Sequence, residues 1–463
     1  MNRALEAYYQ GLRGKKVFFL GAGVSHRELI RQFAARGAAV TLCDCKSREQ
    51  LGAFGDEIEA LGVSFVLGAG YLDRLAEADV VFRTPGIDYT KPEIQAAVEA
   101  GVAVTSEIET FFDLCPCRIV GVTGSDGKTT TTSLIAEMLS AAGRTVHLGG
   151  NIGKPLLPRI AGIGPEDVAV VELSSFQLIS MRRSPDVAVV TNLAPNHLDH
   201  HRDMEEYIDA KRNILLWQSE DGVAILNAEN EITRSMEPDV QGNLRWFSRC
   251  GPVADGAYLD AEKNLWKSEN GVATQIMSLA DIPLPGDHNK ENIATAAAAV
   301  LGLVPDGVIR QVASTFKGVE HRIELARDKD GVRWYNDSIG TSPTRTIAGL
   351  RSFDRKLILI AGGYDKKISY APLAPEILGS VKTLLLCGAT GPIIRKEVES
   401  CPGFDPETLQ IESLPDLAAC VARANELAQS GDVVLMSPAS ASFDLYANFE
   451  ERGKHFKKLV SEL

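Results

Sequence analysis

The stretch GVTGSDGKTTTT, residues 121–132, lies between the β-type run RIVGVTG at 118–124 and a helical stretch, so it reads as strand, loop, helix. Gly124 and Gly127 let backbone N–H groups converge on an anion, and the helix that follows adds its positive end. Lys128 supplies a point charge and the Thr129 hydroxyl can ligate Mg²⁺, with Ser125, Asp126 and Thr130 completing a nucleotide-phosphate loop. A strict Walker A sequence would also carry glycine at 122, where this chain has Val122. The pattern is therefore a shortened variant, T-G-x-x-G-K-T. The competing reading, a Gly-rich turn with an exposed lysine, is disfavoured by the strand before it and the helix after it.

Outward from this loop the chain alternates short apolar runs with helical stretches, which predicts parallel sheets covered by helices. One series covers VFFLG at 17–21, AAVTLCD at 38–44, VSFVLG at 63–68, DVVFRTPG at 79–86 and VAVTSE at 102–107. A second continues from the phosphate loop through DVAVVELSS at 167–175, DVAVVTNLAPNH at 186–197 and GVAILN at 222–227. Residues 242–285, with turns and the pair Trp246 and Phe247, suggest a small antiparallel insert or edge. The Ala-rich stretch 288–303 reads as a buried helix. Two strands joined by a turn at Asp330-Gly331 are expected over 318–338. A third series follows in KLILIAGG at 356–363, TLLLCGA at 383–389 and DVVLMSPAS at 432–440. The fold class is thus α/β in three domains. Residues 1–115 are Rossmann-like, 116–316 form a central P-loop α/β domain with a small antiparallel portion, and 317–463 are a second Rossmann-like domain.

The 463 residues agree with that count at roughly 150 residues per domain. With 45% hydrophobic and 24% charged residues the chain has ordinary globular composition. Its net charge of −13 argues against nucleic acid as a partner, so a polyanionic ligand must be held by local chemistry. The eight cysteines include two C-x-C pairs and no C-x-x-C, which suits free thiols in a reducing compartment better than a zinc module. The N-terminal sequence lacks an apolar signal region and no run approaches a membrane span, so the expected location is the cytoplasm, without membrane insertion. The glycine loop GAGVSH at 21–26 has His26 where a dinucleotide fingerprint has its third glycine, and Asp44 ends the second strand where a ribose-binding acid would sit. That loop is open to three readings: NAD(P) in an oxidoreductase, a tight structural turn, or another nucleotide or sugar nucleotide.

ELSSFQL at 172–178, TNLAPNHLDHH at 191–201, AKRNIL at 210–215, GDHNKENIATA at 286–296, EHR at 320–322 and NDS at 336–338 follow the phosphate loop in order. Together they resemble the Mur ligases, ATP-dependent amide-bond-forming enzymes of bacterial peptidoglycan synthesis. SPASASFDLYANFEERGKHF at 437–456 resembles the branch that adds D-glutamate. The resemblance implies a ligase that phosphorylates the L-alanine carboxylate of UDP-N-acetylmuramoyl-L-alanine and lets the D-glutamate amine attack the acyl phosphate, releasing phosphate and ADP. A carboxylate is a poor electrophile and repels the γ-phosphate, so divalent metal and Lys128 are needed to offset the charge.

By the same resemblance one Mg²⁺ takes Thr129 and Glu172, and a second lies near Glu172 and His197. Lys211 carries a CO₂-derived carbamate that supports the second ion, which requires a pocket favouring its neutral amine. Lys128, Glu172, His197 and Lys211 are then the catalytic set, with His197 also a candidate base for the incoming amine. Asn292, Arg322 and Asp337 correspond to further ATP contacts. Thr341, Lys366, Ser442 and Phe449 match positions that hold D-glutamate, with Lys367 an alternative to its neighbour. Ser25, Asp44, Lys46 and the TPGI turn containing Gly86 correspond to contacts for the UDP substrate, and Asn151 to a contact for the sugar or the L-alanine carboxylate. Ile339 replaces a lysine common after N-D-S, and C-D-C-K at 43–46 replaces the frequent D-T-R, although Lys46 keeps a cation. Without the resemblance, Glu172 reads as a strand-terminal charge, Lys211 as a solvated helix lysine and YDKK at 364–367 as a charged loop. The rivals are a Mur-type ligase for another amino acid, a folylpolyglutamate-type ligase, the oxidoreductase built on GAGVSH, and a nucleotide sensor without turnover. The expected state is a monomer.

Overall fold

The computed structural model describes residues 3–194, 201–280 and 282–463. Three sheets form in chain order. The first contains β1 (Lys16–Leu20), β2 (Ala39–Asp44), β3 (Ser64–Leu67), β4 (Val80–Arg83) and β5 (Ala103–Thr105), all parallel, in the order β3-β2-β1-β4-β5. The order reverses between β1 and β4, which opens a crevice beyond their carboxyl ends, at Gly21 and Thr84.

The second sheet contains β6 (Arg118–Thr123), β7 (Val146–Gly150), β8 (Val168–Glu172), β9 (Val187–Val190), β10 (Val223–Asn227), β11 (Asn243–Ser248), β12 (Gly256–Leu259), β13 (Asn264–Glu269) and β14 (Val272–Ser278). Their order is β14-β13-β12-β11-β10-β9-β6-β8-β7. The strands β6, β8 and β9 read as unbroken apolar runs because both faces are covered; β8 is buried at every residue. The antiparallel portion is smaller than residues 242–285 suggested. β11 pairs parallel with both β10 and β12, and antiparallel pairing is confined to β12–β13 and β13–β14. β7, VHLGG, is an edge strand whose glycines carry no strand signature.

The third sheet holds β15 (Glu324–Lys329), β16 (Val332–Asn336), β17 (Leu357–Ala361), β18 (Val381–Leu386), β19 (Gln410–Ser413) and β20 (Val433–Met436), in the order β15-β16-β20-β17-β18-β19. The β15–β16 hairpin turns at Asp330 (φ 54°) and Gly331 (φ 78°), the double left-handed conformation expected of an Asp-Gly turn. The helix Asp287–Val300 buries Ala294 and Ala296 to Ala299, as its Ala-rich composition predicts.

By packing the chain divides into two compact units, residues 1–280 with 291–312, and residues 281–290 with 313–463. Inside the first unit the two leading sheets share one hydrophobic cluster, with Phe33, Phe82 and Phe111 on one side and Leu156, Ile160 and Met181 on the other. Among the described residues of the second unit, one cluster contains Tyr335 and Leu359 and another Trp334 and Ile360. Among the described residues no helix is long and apolar enough to cross a membrane.

Candidate active site

The phosphate loop begins where β6 ends. Gly124 has φ 145°, and a Cβ there would lie 1.9 Å from Thr191 Oγ1, so only glycine fits. Gly127 (φ 77°) caps the helix Lys128–Ala141, and a Cβ on it would lie 2.4 Å from Asn292 Oδ1. Asn292, assigned to the nucleotide, is thus packed against the loop and receives a 3.3 Å bond from Thr131 Oγ1. Lys128 Nζ donates to the carbonyls of Gly124 (2.9 Å) and Ser125 (2.8 Å), curling over the loop it serves. The Thr129 side chain is half-buried and Thr130 is buried. Asp126 is exposed, while the Ser125 hydroxyl is held by Tyr207 Oη (2.9 Å) and donates to the Ala194 carbonyl (2.9 Å). Ser125 therefore shapes the loop.

Two residues unassigned from sequence share that task. Thr191 Oγ1 donates to the carbonyls of Asp126 (2.6 Å) and Thr123 (3.2 Å), and Asn192 Oδ1 accepts from Asp126 N (3.0 Å). Both follow β9, so neighbouring strand ends brace the loop. In the sequence they open the TNLAPNHLDHH stretch directly after an apolar run, with no role attached to either.

Glu172 ends β8 and is 1% exposed. Its Oε1 accepts from Asn151 Nδ2 (2.7 Å), and its Oε2 is buried with no hydrogen-bond partner among the described residues. A buried carboxylate oxygen left without a donor fits a divalent cation. Asn151, expected to meet the sugar or the L-alanine carboxylate, orients this carboxylate, and its backbone N–H donates to the Glu172 carbonyl at 2.8 Å. Gly150 (φ 91°) allows that approach.

Lys211, on the helix Met204–Leu216, is 1% exposed. Its Nζ donates to Thr123 Oγ1 (3.1 Å) and the Gly124 carbonyl (2.9 Å). Burial, aided by the nearby Lys128 charge and opposed by Glu172, pushes its pKa well below the usual lysine value, so the solvated-face reading is wrong. Buried His201 braces the same region, its Nε2 2.8 Å from Ser175 Oγ and its ring stacked on Phe176. His197 lies outside the described residues. Among the described residues no three His, Cys, Asp or Glu side chains gather as a metal cage. One carboxylate and one hydroxyl instead suit Mg²⁺, which keeps waters and substrate phosphates as ligands.

On the first sheet, Ser25 and the exposed Lys46 and Gly86 follow the carboxyl ends of β1, β2 and β4. Asp44 is buried, accepting from Ala22 N (2.7 Å) and Lys46 N (2.9 Å), so its carboxylate clamps the glycine loop. His26 is fully buried against Phe19, its Nδ1 3.0 Å from the Gly21 carbonyl. It fills the space a third glycine would leave for close helix–strand packing, which removes the basis of the dinucleotide reading.

In the second unit the candidates gather at the carboxyl ends of β16, β17 and β20. Asp337 is 4% exposed and accepts from Ser437 Oγ (2.6 Å) and Ile323 N (3.3 Å). Burial raises its pKa to about 7, against the opposing pull of Ser437 and Arg322. Beside Ile339, Arg345 donates to the Ile339 carbonyl (3.2 Å) and faces Asp337, so a cation stands near the position of the missing lysine. Lys366 is exposed and donates to the Thr341 carbonyl (3.1 Å), bringing two of the four amino-acid candidates together, whereas Lys367 pairs with Asp365. Ser442 is buried, and Phe449 offers its carbonyl to Ser338 Oγ (2.7 Å). Arg452, unassigned from sequence, is buried and ties these loops together through Ser338, Ser440 and Ala441.

Three family models match the chain. The Mur ligase MurD-like N-terminal domain covers residues 15–106, the Mur ligase middle domain 122–300, and the Mur ligase glutamate ligase domain 321–440. The chain is 49% identical to the UDP-N-acetylmuramoylalanine--D-glutamate ligase of Acetivibrio thermocellus over 100% of both chains. It is 47% identical to the enzyme of that name from Symbiobacterium thermophilum, over 96% of this chain and 97% of the other. The UDP-N-acetylmuramate-alanine ligase structure from Thermotoga maritima shares the fold, with TM-score 0.56 and 17% identity over 97% of this chain and 99% of the other. The site geometry and these full-length likenesses agree, and the chain belongs to the Mur ligase family, in the branch of the UDP-N-acetylmuramoylalanine--D-glutamate ligases.

Proposed function

We propose that the chain is an ATP-dependent ligase that joins D-glutamate to the L-alanine carboxylate of UDP-N-acetylmuramoyl-L-alanine in bacterial peptidoglycan precursor synthesis. The observation that carries the reading is the meeting, at the carboxyl ends of β6 and β8, of the phosphate loop with a buried carboxylate bearing an unpartnered oxygen. A nucleotide sensor would bind ATP at such a site without forming ADP.

In this reading the loop N–H groups, Lys128 and the helix N-terminus hold the ATP phosphates, and Lys128 offsets charge spreading toward the β,γ-bridge. Thr129 and Glu172 would hold Mg²⁺, with His197 and a carbamylated Lys211 near a second ion. Bound Mg²⁺ would screen the repulsion between the substrate carboxylate and the γ-phosphate. Asn151 keeps Glu172 in one orientation, and burial of Lys211 supplies the neutral amine that carbamylation by CO₂ requires. Asn292, Arg322 and Asp337 complete the nucleotide contacts. Ser25, Lys46 and Gly86 bind the UDP end, for which Asp44 shapes the loop. Lys366, with Thr341, Ser442 and Phe449, receives D-glutamate, a cation and hydroxyls suiting its side-chain carboxylate. The domain divisions 1–115, 116–316 and 317–463 follow these three tasks. In this reading the enzyme acts in the cytoplasm as a monomer.

The test is ADP formation by the purified protein. It should require Mg²⁺, UDP-N-acetylmuramoyl-L-alanine and D-glutamate together, and Lys128→Ala or Glu172→Gln should abolish it. Rapid ADP release without D-glutamate would count against the reading.

A further inference from the structure

A buried guanidinium joins two loops that the proposed function gives to different tasks. Arg83, the last residue of β4, is 1% exposed. Its Nη1 donates to the carbonyls of Thr84 (3.4 Å) and Ile87 (2.8 Å), the two ends of the TPGI turn. Its Nη2 donates to the Phe176 carbonyl (2.9 Å) and Ser180 Oγ (3.1 Å). Phe176 belongs to the short helix Ser175–Leu178, which Ser174 caps two residues after Glu172. Movement of the Phe176 carbonyl is therefore felt at the candidate metal carboxylate.

The choice of residue is informative. Burial works against the Arg83 charge, and Glu109 is the foremost opposing influence. Glu109 Oε2 itself makes no hydrogen bond among the described residues. An apolar side chain would pack this seam without the desolvation cost of a buried cation. What it would lack is the planar fork, whose donors reach acceptors on both loops at fixed angles. The ring of Tyr89, on the same loop as the turn, lies 5.5 Å from the guanidinium carbon and further limits its position.

We infer that Arg83 is a positioning residue that couples the seating of the UDP substrate on residues 84–87 to the placement of Glu172. The inference rests on the proposed function, because it uses the roles given there to the TPGI turn and to Glu172. Neither loop is tied to the other by main-chain pairing, since β4 and β8 belong to different sheets. The side chain thus specifies a distance that neither sheet sets alone.

Steady-state kinetics of the full chain test it, with wild type, Arg83→Met, Arg83→Lys and Ser180→Ala. Wild-type ligation is measured first: absence of product there refutes the proposed function, whereas wild-type constants in the variants refute this inference alone. Arg83→Met should raise KM for the UDP substrate and lower kcat, each about tenfold or more, as expected for reacting groups displaced by a fraction of an ångström to an ångström. KM for D-glutamate should stay within about twofold, because its proposed contacts do not involve this fork. Arg83→Lys, which keeps the charge, should restore part of both losses. Ser180→Ala, which removes one bond on the Glu172 side only, should lower kcat with KM for the UDP substrate little changed. A lowered melting temperature with unchanged kinetic constants would mean a merely structural role and overturn the inference. If Arg83→Met does not fold, unchanged kcat in Ser180→Ala and unchanged constants in Arg83→Lys overturn it equally.

Discussion

Gly124→Ala probes the phosphate loop at the point where backbone geometry leaves no alternative. At φ 145° the residue occupies a region open essentially to glycine, where an alanine costs about 1–3 kcal/mol. The new Cβ would also lie 1.9 Å from Thr191 Oγ1 and 3.1 Å from the Asn192 carbonyl oxygen. Thr191 must swing away, giving up its bonds to the Asp126 and Thr123 carbonyls, each contributing about 0.5–1.5 kcal/mol. Together these come to about 2–6 kcal/mol against the loop conformation that binds phosphate. At about 1.4 kcal/mol per factor of ten, ATP affinity should fall at least about 30-fold. The assay is ATP binding by titration calorimetry, alongside ADP formation. The double variant Gly124→Ala/Thr191→Ala removes the overlap but not the backbone cost. It should therefore remain weaker than Thr191→Ala alone by about 5- to 140-fold. Gly124→Ala binding ATP within about threefold of wild type would refute the reasoning, because neither the φ penalty nor the overlap could then be real.

Lys211→Arg puts a permanent cation where the account needs a neutral amine, and it cannot form the carbamate. Product formation should fall at least about a hundredfold, and a ¹³CO₂-derived carbamate signal seen by NMR in wild type should vanish. Glu107, whose Oε1 accepts from Leu156 N and Leu157 N at 2.7 Å each, has its pKa raised from 4.5 to about 7 by burial. Its folded-state pKa exceeds the unfolded one, so its contribution to stability is complete below pH 4.5 and lost as pH rises through about 7. Glu107→Gln should flatten the fall in melting temperature across that window, and an unchanged slope would contradict the assignment. Lys366→Ala should raise KM for D-glutamate about 10- to 100-fold with KM for ATP unchanged. If Lys367→Ala has that effect instead, the assignment moves by one residue.

How far the sequence could be read depended on whether a feature is local. The strand, loop and helix at 118–141 were legible because glycine, lysine and threonine must stand in one order to cradle phosphate, and the Asp330-Gly331 hairpin because few other pairs accept two left-handed residues. β7 and β19 escaped notice as short edge strands, VHLGG and QIES, with no buried apolar run to mark them. The parallel pairing of β11 was equally hidden, since alternation shows which residues face inward but not which strand lies alongside. At the site, residue type was enough to single out Ser125, Asp44 and Asn151 as candidates. It did not reveal that their polar atoms bind Tyr207, Ala22 and Glu172 from distant parts of the chain. Arg83 and Arg452 left no mark at all, because many of their acceptors are backbone carbonyls, which every residue possesses.

The most direct test of the central claim is a panel of amino acids, D- and L-glutamate, L-alanine, L-lysine and meso-diaminopimelate, each incubated with ATP, Mg²⁺ and UDP-N-acetylmuramoyl-L-alanine and read by mass spectrometry of the nucleotide product. The account predicts UDP-N-acetylmuramoyl-L-alanyl-D-glutamate, with one ADP per product and D-glutamate strongly preferred. Preferential ligation of another amino acid, or ATP turnover without a new amide, would contradict it.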